Sequence, residues 1–354
     1  MTEKIITMVQ RRDGSPPDLL DRRERPLRDL RISVMDRCNF RCPYCMPRDT
    51  FHDSYRFMKS AERLSFEEIV RLARLFVALG VQKIRVTGGE PLLRANLADL
   101  VGDLTALPGG PDVALTTNGV LLAKYASELK AAGLARVTVS LDSLDPEIFR
   151  KLCGGFDELE AVLAGIEHAR RAGLTPLKVN TVVQRGVNDA GALDIAARFR
   201  GTGVVVRYIE YMDVGNRNRW QPDLVVPSAE LHARIHARWP LVPLSRNYVG
   251  EVAQRYAYAD GEGEIGFISS ISQPFCGDCS RARLSSDGVL YTCLFATHGL
   301  DLRAPLRAGA SDEELLAIVR ERWTARADRY SELRATLRAG AAQEPKVEMN
   351  YIGG

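Results

Sequence analysis

Strand-like and helical segments alternate six times between about residues 29 and 209 of this chain of 354 residues. Each strand-like run is short and rich in apolar or β-branched residues, and a helical pattern separates it from the next. Such alternation predicts an α/β fold with a parallel sheet and outer helices, and an open or partial (β/α)6 barrel fits best. The predicted strands are Asp29–Val34, Lys83–Thr87, Val113–Thr116, Arg136–Leu141, Leu177–Val183 and Val204–Ile209.

Capping residues indicate where the helices between these strands begin and end. Ser65, followed three residues later by Glu68, predicts the start of a helix that ends at Gly80. Gly133 ends the helix after the third strand in the same way. Two further helices are predicted over Asp157–Ala172 and Asp189–Arg200.

The alternation stops after Tyr211, where Gly, Asn, Arg and Pro interrupt the pattern. We expect a helix near Ser228–Ala237 and short strands after it, which makes this part an α+β extension. The predicted organisation is a flexible segment over residues 1–24, a barrel over 25–212 and a C-terminal domain over 213–354. The Ala- and Arg-rich stretch near 325–345 is expected to be loosely ordered or peripheral.

The composition is that of an ordinary globular enzyme. Hydrophobic residues make up 45% and charged residues 26%, and no apolar run approaches the roughly 20 residues that span a bilayer. The N-terminus lacks the apolar stretch of a secretory signal, so we expect a cytoplasmic protein whose cysteines bind metals rather than form disulfides. A net charge of +3 is too small to predict nucleic-acid binding.

Three cysteines with the spacing C-x3-C-x2-C follow the first predicted strand. Three thiolates from one loop can hold three irons of a cubane cluster and leave the fourth iron open to a further ligand. A structural zinc site is the alternative, but it needs a fourth ligand, and the nearest histidine, His52, lies seven residues further on. The three residues are Cys38, Cys42 and Cys45.

A second triplet, Cys276, Cys279 and Cys293, lies in the C-terminal extension with the spacing C-x2-C-x13-C. Zinc is a real alternative here, because His298 follows the last cysteine at ordinary ligand spacing. The other interpretation is an auxiliary cubane whose open iron binds substrate. Arg281 and Arg283 alternate on a strand beside this triplet, and they could clamp an anion. A hairpin at Ser286-Asp287-Gly288 is expected to follow that strand.

The first triplet, with an aromatic residue before its last cysteine, resembles the radical S-adenosylmethionine (SAM) superfamily. Gly88-Gly89-Glu90-Pro91 at a strand end resembles the SAM-amino motif of that superfamily, although alone it would be read as a turn. Hydroxyls at the next two strand ends could bind other parts of SAM, with the choice between Thr116 and Thr117 left open. The resemblance implies SAM contacts from Tyr44, Gly89, Glu90, Thr117, Ser140 and Met212.

Further segments resemble the MoaA family of GTP 3′,8-cyclases, which begins molybdenum cofactor biosynthesis. The matching segments are Arg31–Cys38, Lys83–Pro91, Lys178–Asn180, Arg207–Met212, Phe275–Arg283 and the terminal Gly353-Gly354, and they span nearly the whole chain after residue 25. The resemblance implies two [4Fe–4S] clusters and SAM as cofactors, and a C-terminal extension that closes the barrel mouth. In that family the 5′-deoxyadenosyl radical abstracts hydrogen from ribose C3′, and the C3′ radical attacks C8 of guanine. The product is (8S)-3′,8-cyclo-7,8-dihydroguanosine 5′-triphosphate, which a MoaC-type cyclic pyranopterin monophosphate synthase then uses.

The resemblance also implies roles for basic residues at strand ends and for the C-terminal tail. A nucleoside triphosphate needs several cations, and each of these residues alone would be read as a surface charge. The glycine tail reaches into the active site in the family, although composition alone predicts a disordered end. The implied GTP-binding residues are Arg31, Lys83, Arg85, Lys178, Arg207, Arg281 and Arg283, and catalytic roles fall to Arg31, Arg281, Arg283, Gly353 and Gly354.

Two other hypotheses stay open at the level of sequence. A radical SAM enzyme that modifies a peptide would carry more cysteines in its extension, and a zinc or nucleic-acid-binding module would contain zinc and no iron. The electron donor and the oligomeric state, including a possible homodimer, are open. His232 and His236 are expected to be half-exposed helix residues, Cys153 a buried small residue, and Asp21–Arg25 a solvated mixed-charge segment.

Overall fold

The structure is a computed structural model that describes residues 18–339 and 344–353. The predictions for residues 1–17 and for Gly354 lie outside these residues. Twelve strands form one sheet in the described part of the chain. They are β1 (Asp29–Ser33), β2 (Lys83–Thr87), β3 (Asp112–Thr117), β4 (Arg136–Ser140), β5 (Lys178–Val183), β6 (Val205–Glu210), β7 (Leu241–Leu244), β8 (Gln254–Tyr258), β9 (Glu264–Ile268), β10 (Arg281–Leu284), β11 (Val289–Tyr291) and β12 (Leu300–Asp301).

Helices separate the first six strands and cover the outside of the sheet, and further helices belong to the C-terminal part. The α-helices are α1 (Phe66–Ala78), α2 (Leu97–Thr105), α3 (Leu122–Ala131), α4 (Pro146–Leu152), α5 (Leu159–Arg171), α6 (Ala192–Phe199), α7 (Ser228–Arg238), α8 (Arg303–Arg307), α9 (Asp312–Thr324), α10 (Tyr330–Ala339) and α11 (Met349–Ile352).

The strand order is β12-β11-β10-β1-β2-β3-β4-β5-β6-β9-β8-β7, so the sheet is open, as predicted for a partial barrel. The six predicted strands are confirmed as β1–β6, which pair in parallel. The C-terminal part then extends the same sheet on both sides, because β10 pairs in parallel with β1 and β9 with β6. Antiparallel hairpins, including the predicted one between β10 and β11, finish the two edges.

The barrel strands bury apolar residues on the face that packs against the helices. Ile32 in β1 and Ile84 in β2 are fully buried in one core cluster with Leu72 and Phe76 of α1. Successive residues of a strand point to opposite faces, so Arg31 and Arg85 point to the inside of the barrel. The apolar alternation of the sequence therefore places charged side chains in the interior, where a ligand can reach them.

Helix α1 begins as its capping residues predict and also anchors the C-terminal extension. The Ser65 hydroxyl accepts a hydrogen bond of 3.1 Å from the Glu68 amide, and the Glu68 carboxylate accepts one of 2.8 Å from the Ser65 amide. The same carboxylate pairs with Arg307 of α8 at 2.8 Å. Arg71 of α1 pairs with Asp312 of α9 at 2.8 Å. These contacts hold the extension against the barrel.

Two predictions about loosely ordered or solvated segments hold only in part where the structure describes them. The stretch near 325–345 contains helix α10 and the buried residues Arg326 and Arg334. Within Asp21–Arg25, the residues Arg22, Arg23 and Glu24 are exposed as predicted, whereas Asp21 and Arg25 are buried and form an ion pair of 2.7 Å. Asp21 also pairs with Arg326, a distant partner that the sequence does not reveal.

Helices long and apolar enough to span a bilayer do not occur among the described residues.

Candidate active site

The inside of the barrel contains an open cavity of about 350 Å³. This volume lies within the range of small-molecule sites. Both cysteine triplets, several polar strand ends and most of the predicted basic residues line the cavity. The fold therefore gathers in one space residues that lie more than 250 positions apart in the sequence.

The two triplets lie at opposite ends of the barrel strands. The first follows the carboxyl end of β1, whereas Cys276 and Cys279 precede β10, which runs parallel to β1. Cys293 follows β11, which is antiparallel to β10, so it lies at the same end as the other two. Four residue steps along β1 at about 3.3 Å each separate the two ends by roughly 13 Å. This separation leaves room for a ligand between the triplets.

The first triplet lies in a half-buried loop with few polar contacts. The Cys38 sulfur accepts a hydrogen bond of 3.3 Å from the Phe40 amide and one of 3.7 Å from the Asn118 amide group. Burial raises the pKa of Cys38 to about 12, and it raises the pKa of Cys42 and Cys45 as well. Bound cations would hold these thiols as thiolates at neutral pH. Three soft donors from one loop therefore fit the iron–sulfur cluster predicted for this site.

The second triplet has a different electrostatic environment. The Cys279 sulfur accepts a hydrogen bond of 3.3 Å from Arg281 and one of 3.2 Å from Arg326. Burial raises the pKa of Cys279, but Arg281 and Arg326 outweigh this effect and lower it to about 6. Burial raises the pKa of Cys293 to about 12. The donor set again fits a cluster, with one thiol already favoured as a thiolate.

The histidines that sequence analysis considered as zinc ligands lie elsewhere. The His298 side chain is 76% exposed and bonds Glu344 at 2.8 Å. His52 bonds the Ser54 hydroxyl at 2.8 Å on the surface. Neither ring lines the cavity that holds the cysteines. No three His, Cys, Asp or Glu side chains of the described residues converge on a single ion.

The Gly88-Gly89-Glu90-Pro91 turn packs directly against the loop that holds the first triplet. The Gly89 amide donates a hydrogen bond of 2.6 Å to the Met35 carbonyl, and the Glu90 amide donates one of 2.9 Å to the Arg37 carbonyl. A Cβ atom on Gly89 would collide with the Arg37 carbonyl group. We expected this glycine to let a ligand approach. In the structure it lets the cysteine loop approach.

Glu90 is a buried carboxylate that accepts hydrogen bonds from three neighbouring groups. Its oxygens accept hydrogen bonds from the Thr117 hydroxyl (2.7 Å), the Asn118 amide (2.7 Å) and the Leu92 amide (3.0 Å). Burial raises its pKa to about 7. A carboxylate has about four acceptor positions and three are occupied here, but Glu90 itself is 1% exposed and does not line the cavity. Thr117 and Thr116 both line the cavity. Thr117 contacts Glu90, whereas the Thr116 hydroxyl accepts a hydrogen bond of 2.9 Å from Arg85.

The other predicted SAM contacts also line the cavity. The Tyr44 hydroxyl donates a hydrogen bond of 2.6 Å to Asp142, whose other oxygen accepts one of 2.8 Å from the Val182 amide. Burial raises the pKa of Asp142 to about 6. Ser140 and Met212 line the same cavity at the carboxyl ends of β4 and β6.

The register of the sheet brings the predicted basic residues into rows. Arg31 lies beside Arg283 on one side and Arg85 on the other. Two residues earlier, Arg281 and Lys83 flank Asp29 in the same way. A spacing of two keeps both rows on the same face of the sheet. Six of the seven predicted GTP-binding residues line the cavity.

The seventh residue, Lys178, does not line the cavity but lies close to Arg207. Burial, with Arg207 and Arg136 acting in the same direction, lowers the pKa of Lys178 to about 7. Burial also lowers the pKa of Arg31, and its neighbours Arg283 and Arg85 add to this effect. So many like charges repel one another, and a bound polyanion would relieve that repulsion.

The C-terminal tail enters this site. Ile352 and Gly353 are buried, and the Arg283 guanidinium donates a hydrogen bond to the Gly353 carbonyl. Gly353 has a φ of +70°, and a Cβ atom on it would collide with the Thr87 side chain at the end of β2. The position therefore requires glycine.

Comparison with known proteins assigns the family. The Radical SAM superfamily model matches residues 32–199, and the Molybdenum Cofactor Synthesis C model matches residues 204–332. A GTP 3′,8-cyclase of Xanthomonas campestris pv. campestris (strain B100) is 56% identical over 342 residues, which are 97% of this chain and 99% of that protein. The chain belongs to the GTP 3′,8-cyclase family.

Two less similar proteins that match this chain over nearly their whole length are also GTP 3′,8-cyclases. A GTP 3′,8-cyclase of Acidothermus cellulolyticus is 51% identical, covering 93% of this chain and 97% of that protein. One of Staphylococcus epidermidis is 44% identical, covering 94% and 98%. The crystal structure of Streptococcus suis SuiB bound to S-adenosylmethionine has a TM-score of 0.59 at 14% identity, over 84% of this chain and 68% of that chain. At that identity it shows a shared fold.

Several cavity residues were not predicted from the sequence. Asn180 accepts a hydrogen bond of 2.9 Å from Arg207, and the Tyr248 hydroxyl accepts one of 2.8 Å from Lys83. Outside the cavity lining, Arg136 pairs with Asp112 at the amino ends of β4 and β3, and it lowers the pKa of Lys178. Asn180 and Arg136 lie within predicted strands, at positions whose alternation points inward. Tyr248 lies in a loop, where no sequence pattern marks it.

Proposed function

We propose that this protein is a radical SAM enzyme that converts GTP to (8S)-3′,8-cyclo-7,8-dihydroguanosine 5′-triphosphate, the first step of molybdenum cofactor biosynthesis. The observation that carries the proposal is the placement of two cysteine triplets at opposite ends of one cavity, with rows of arginines between them. Members of the family use SAM and [4Fe–4S] clusters, and the family assignment of the whole chain supports the same substrate here.

At the carboxyl end of the strands, the first triplet would hold a [4Fe–4S] cluster and its open iron would bind SAM. Glu90 would accept a hydrogen bond from the SAM ammonium group, because its carboxylate is held in place by Thr117 and Asn118. Tyr44, Gly89, Ser140 and Met212 would surround the rest of the molecule. All of these residues except Glu90 line the cavity, which supports this part of the proposal.

At the amino end, Cys276, Cys279 and Cys293 would hold the auxiliary cluster, whose open iron would contact the guanine base. Basic residues between the two triplets would bind the triphosphate, with bidentate contacts from the arginines. These residues are Arg31, Lys83, Arg85, Lys178, Arg207, Arg281 and Arg283. Their mutual repulsion in the free protein supports an anionic ligand, since the anion would compensate charges that burial leaves poorly solvated.

Bound SAM and the clusters would supply the one-electron chemistry that moves the C3′ hydrogen and forms the C3′–C8 bond. The protein would orient the ribose toward SAM by fixing the triphosphate and the base at the opposite side of the cavity. Gly353 and Gly354 would complete the site, since Arg283 contacts both the tail and the row of basic residues. This contact would orient the Arg283 guanidinium toward the triphosphate.

An anaerobic assay tests this proposal. The reconstituted protein is incubated with SAM, a strong reductant and each nucleoside triphosphate in turn, and 5′-deoxyadenosine and nucleotide products are followed by mass. We expect 5′-deoxyadenosine and a cyclised isomer of GTP with GTP alone. Equal 5′-deoxyadenosine with every nucleotide would refute the substrate, and iron-free protein without 5′-deoxyadenosine would refute the cofactors.

We further propose that a MoaC-type cyclic pyranopterin monophosphate synthase uses the product, and that both act in the cytoplasm. The Molybdenum Cofactor Synthesis C match and the seven unpaired cysteines support this placement. Adding such a synthase to the assay should consume the cyclised product. The oligomeric state, with a homodimer as one alternative, would be measured by light scattering of the reconstituted protein.

A further inference from the structure

A network of ion pairs lies beside the second triplet, and its members Arg25, Arg326 and Asp328 line the same cavity. Arg25 pairs with Asp21 at 2.7 Å, and Arg326 pairs with the same Asp21 oxygen at 3.1 Å. Arg326 also pairs with Asp328 at 3.3 Å. The Asp21 side chain is fully buried, and those of Arg25 and Arg326 are 2% and 1% exposed. The chain buries three charges here, while the Asp328 side chain is 35% exposed, and burying charges is costly unless each has partners.

The two arginines of this network hold the backbone around all three cysteines. Arg25 donates a hydrogen bond of 2.7 Å to the Cys276 carbonyl. Arg326 donates one of 2.7 Å to the Cys279 carbonyl and one of 3.1 Å to the carbonyl of Thr292, the residue before Cys293. The network therefore fixes the relative positions of the three sulfur ligands.

Arg326 also contacts a sulfur directly. Its Nη2 lies 3.2 Å from the Cys279 sulfur, and Nη2 of Arg281 lies 3.3 Å from the same atom. Arg281 keeps partial exposure in the cavity, where the proposed substrate would engage it. Arg326 is tied to Asp21, Asp328 and two carbonyls, so its position does not depend on a ligand.

We propose that Arg326 is a positioning residue that sets the reduction potential of the auxiliary cluster through its hydrogen bond to Cys279, with Asp21 and Arg25 holding it in place. The inference rests on the proposed function, which assigns the second triplet to that cluster. Hydrogen bonds and positive charge at a ligand sulfur stabilise the reduced cluster and raise its potential. When a substrate anion shares the charge of Arg281, this residue raises the cluster potential less. Arg326 has no such partner in the proposal, so its effect on the potential stays the same.

The test uses full-length protein in which Cys38, Cys42 and Cys45 are replaced by alanine, so that only the second triplet can hold a cluster. Iron content and the midpoint potential from an electron paramagnetic resonance redox titration are measured. Arg326→Gln removes the charge and should shift the potential downward, while Arg326→Lys should cause a smaller shift in the same direction. Asp21→Asn removes a negative charge from the network and should shift it upward. Arg320→Gln, on the exposed face of α9, should leave it unchanged.

The outcomes separate this inference from the proposed function. Absence of iron from the protein with the three alanines would refute the auxiliary cluster and the inference with it. Full iron content with an unchanged potential in Arg326→Gln would refute the inference alone. If Arg326→Gln does not retain its cluster, Arg326→Lys and Asp21→Asn decide, and shifts of opposite sign support the proposal. Unchanged or same-sign shifts in these two variants would overturn it.

Discussion

The guanidinium of Arg283 donates a hydrogen bond to the carbonyl oxygen of Gly353. One partner belongs to strand β10 beside Arg31, and the other to the end of the chain. The contact lies within the cavity face of the barrel, so the tail position and the orientation of an anion-binding arginine are coupled. A change in either residue should therefore affect the other.

Replacing Gly353 by alanine tests this coupling. The new Cβ would collide with Thr87, so the tail must move, and we expect turnover of GTP to fall by about 100-fold, the cost of roughly 1 Å of misplacement in an active site. Iron content should stay close to that of the unmodified protein, and GTP affinity should fall much less than turnover, because six other basic residues still bind the triphosphate. Gly186→Ala is the matched control, because Gly186 has a similar φ of +69° and open space around it. Equal losses in the two variants would contradict a specific role of the tail.

The two triplets should act as independent sites. Cys276→Ala should lower the iron content from about eight to about four atoms per chain, since each [4Fe–4S] cluster holds four. SAM cleavage without GTP should persist, because the first triplet lies at the other end of the barrel. GTP cyclisation should be lost. Iron analysis and 5′-deoxyadenosine assays measure both.

Cys153→Ala is the control for this experiment. Cys153 is buried and its thiol donates a hydrogen bond of 2.9 Å to the Phe156 carbonyl, as expected for a cysteine outside the triplets. The variant should keep about eight irons per chain. Loss of both clusters in Cys276→Ala would show that the sites are not independent.

The barrel strands could be predicted almost residue by residue, and the reason is local. Lys83–Thr87 forms β2 as predicted, because its apolar alternation and the glycines after it determine the strand without distant contacts. The same alternation placed Arg31 and Arg85 on the inner face. The sequence alone could not show that β10 pairs with β1, since this pairing joins residues about 250 positions apart.

The residues around the second triplet show where such prediction fails. Asp21 and Arg326 look like surface charges in the sequence, and each lies in a segment of mixed charge. They become buried only because each supplies the other with a partner, at a separation of 305 residues. No periodicity or capping signal marks a pair of this kind. Gly89, in contrast, belongs to a motif that the sequence does mark. Only the structure shows that this glycine lets the cysteine loop pack closely against it.

Glu90 should make SAM binding dependent on pH. Burial raises the pKa of this carboxyl to about 7 in the free protein, so it is increasingly protonated below that pH and loses its attraction for an ammonium group. We expect SAM affinity to rise between pH 6 and pH 8. Glu90→Gln should weaken binding by about 10- to 100-fold, the contribution of one charged hydrogen bond. It should also remove most of this pH dependence.

Equilibrium dialysis of labelled SAM at several pH values measures this effect. Glu128→Gln, on the exposed face of α3, is the control and should bind SAM as the unmodified protein does. An unchanged pH profile in Glu90→Gln would mean that another group, such as Asp142 with its pKa of about 6, controls binding.

Lys178 should take up a proton when GTP binds. Burial lowers its pKa to about 7, and Arg207 and Arg136 act in the same direction, so at pH 8 it is mostly neutral in the free protein. A triphosphate nearby favours the charged form and raises the pKa, so uptake should approach one proton. Calorimetry in buffers of different ionisation enthalpy measures this uptake. In Lys178→Met it should nearly vanish, whereas Lys130→Met, at an exposed position of α3, should leave it unchanged. Equal uptake in both variants would place the proton on the nucleotide or on another residue, because the arginines of the barrel stay charged at this pH.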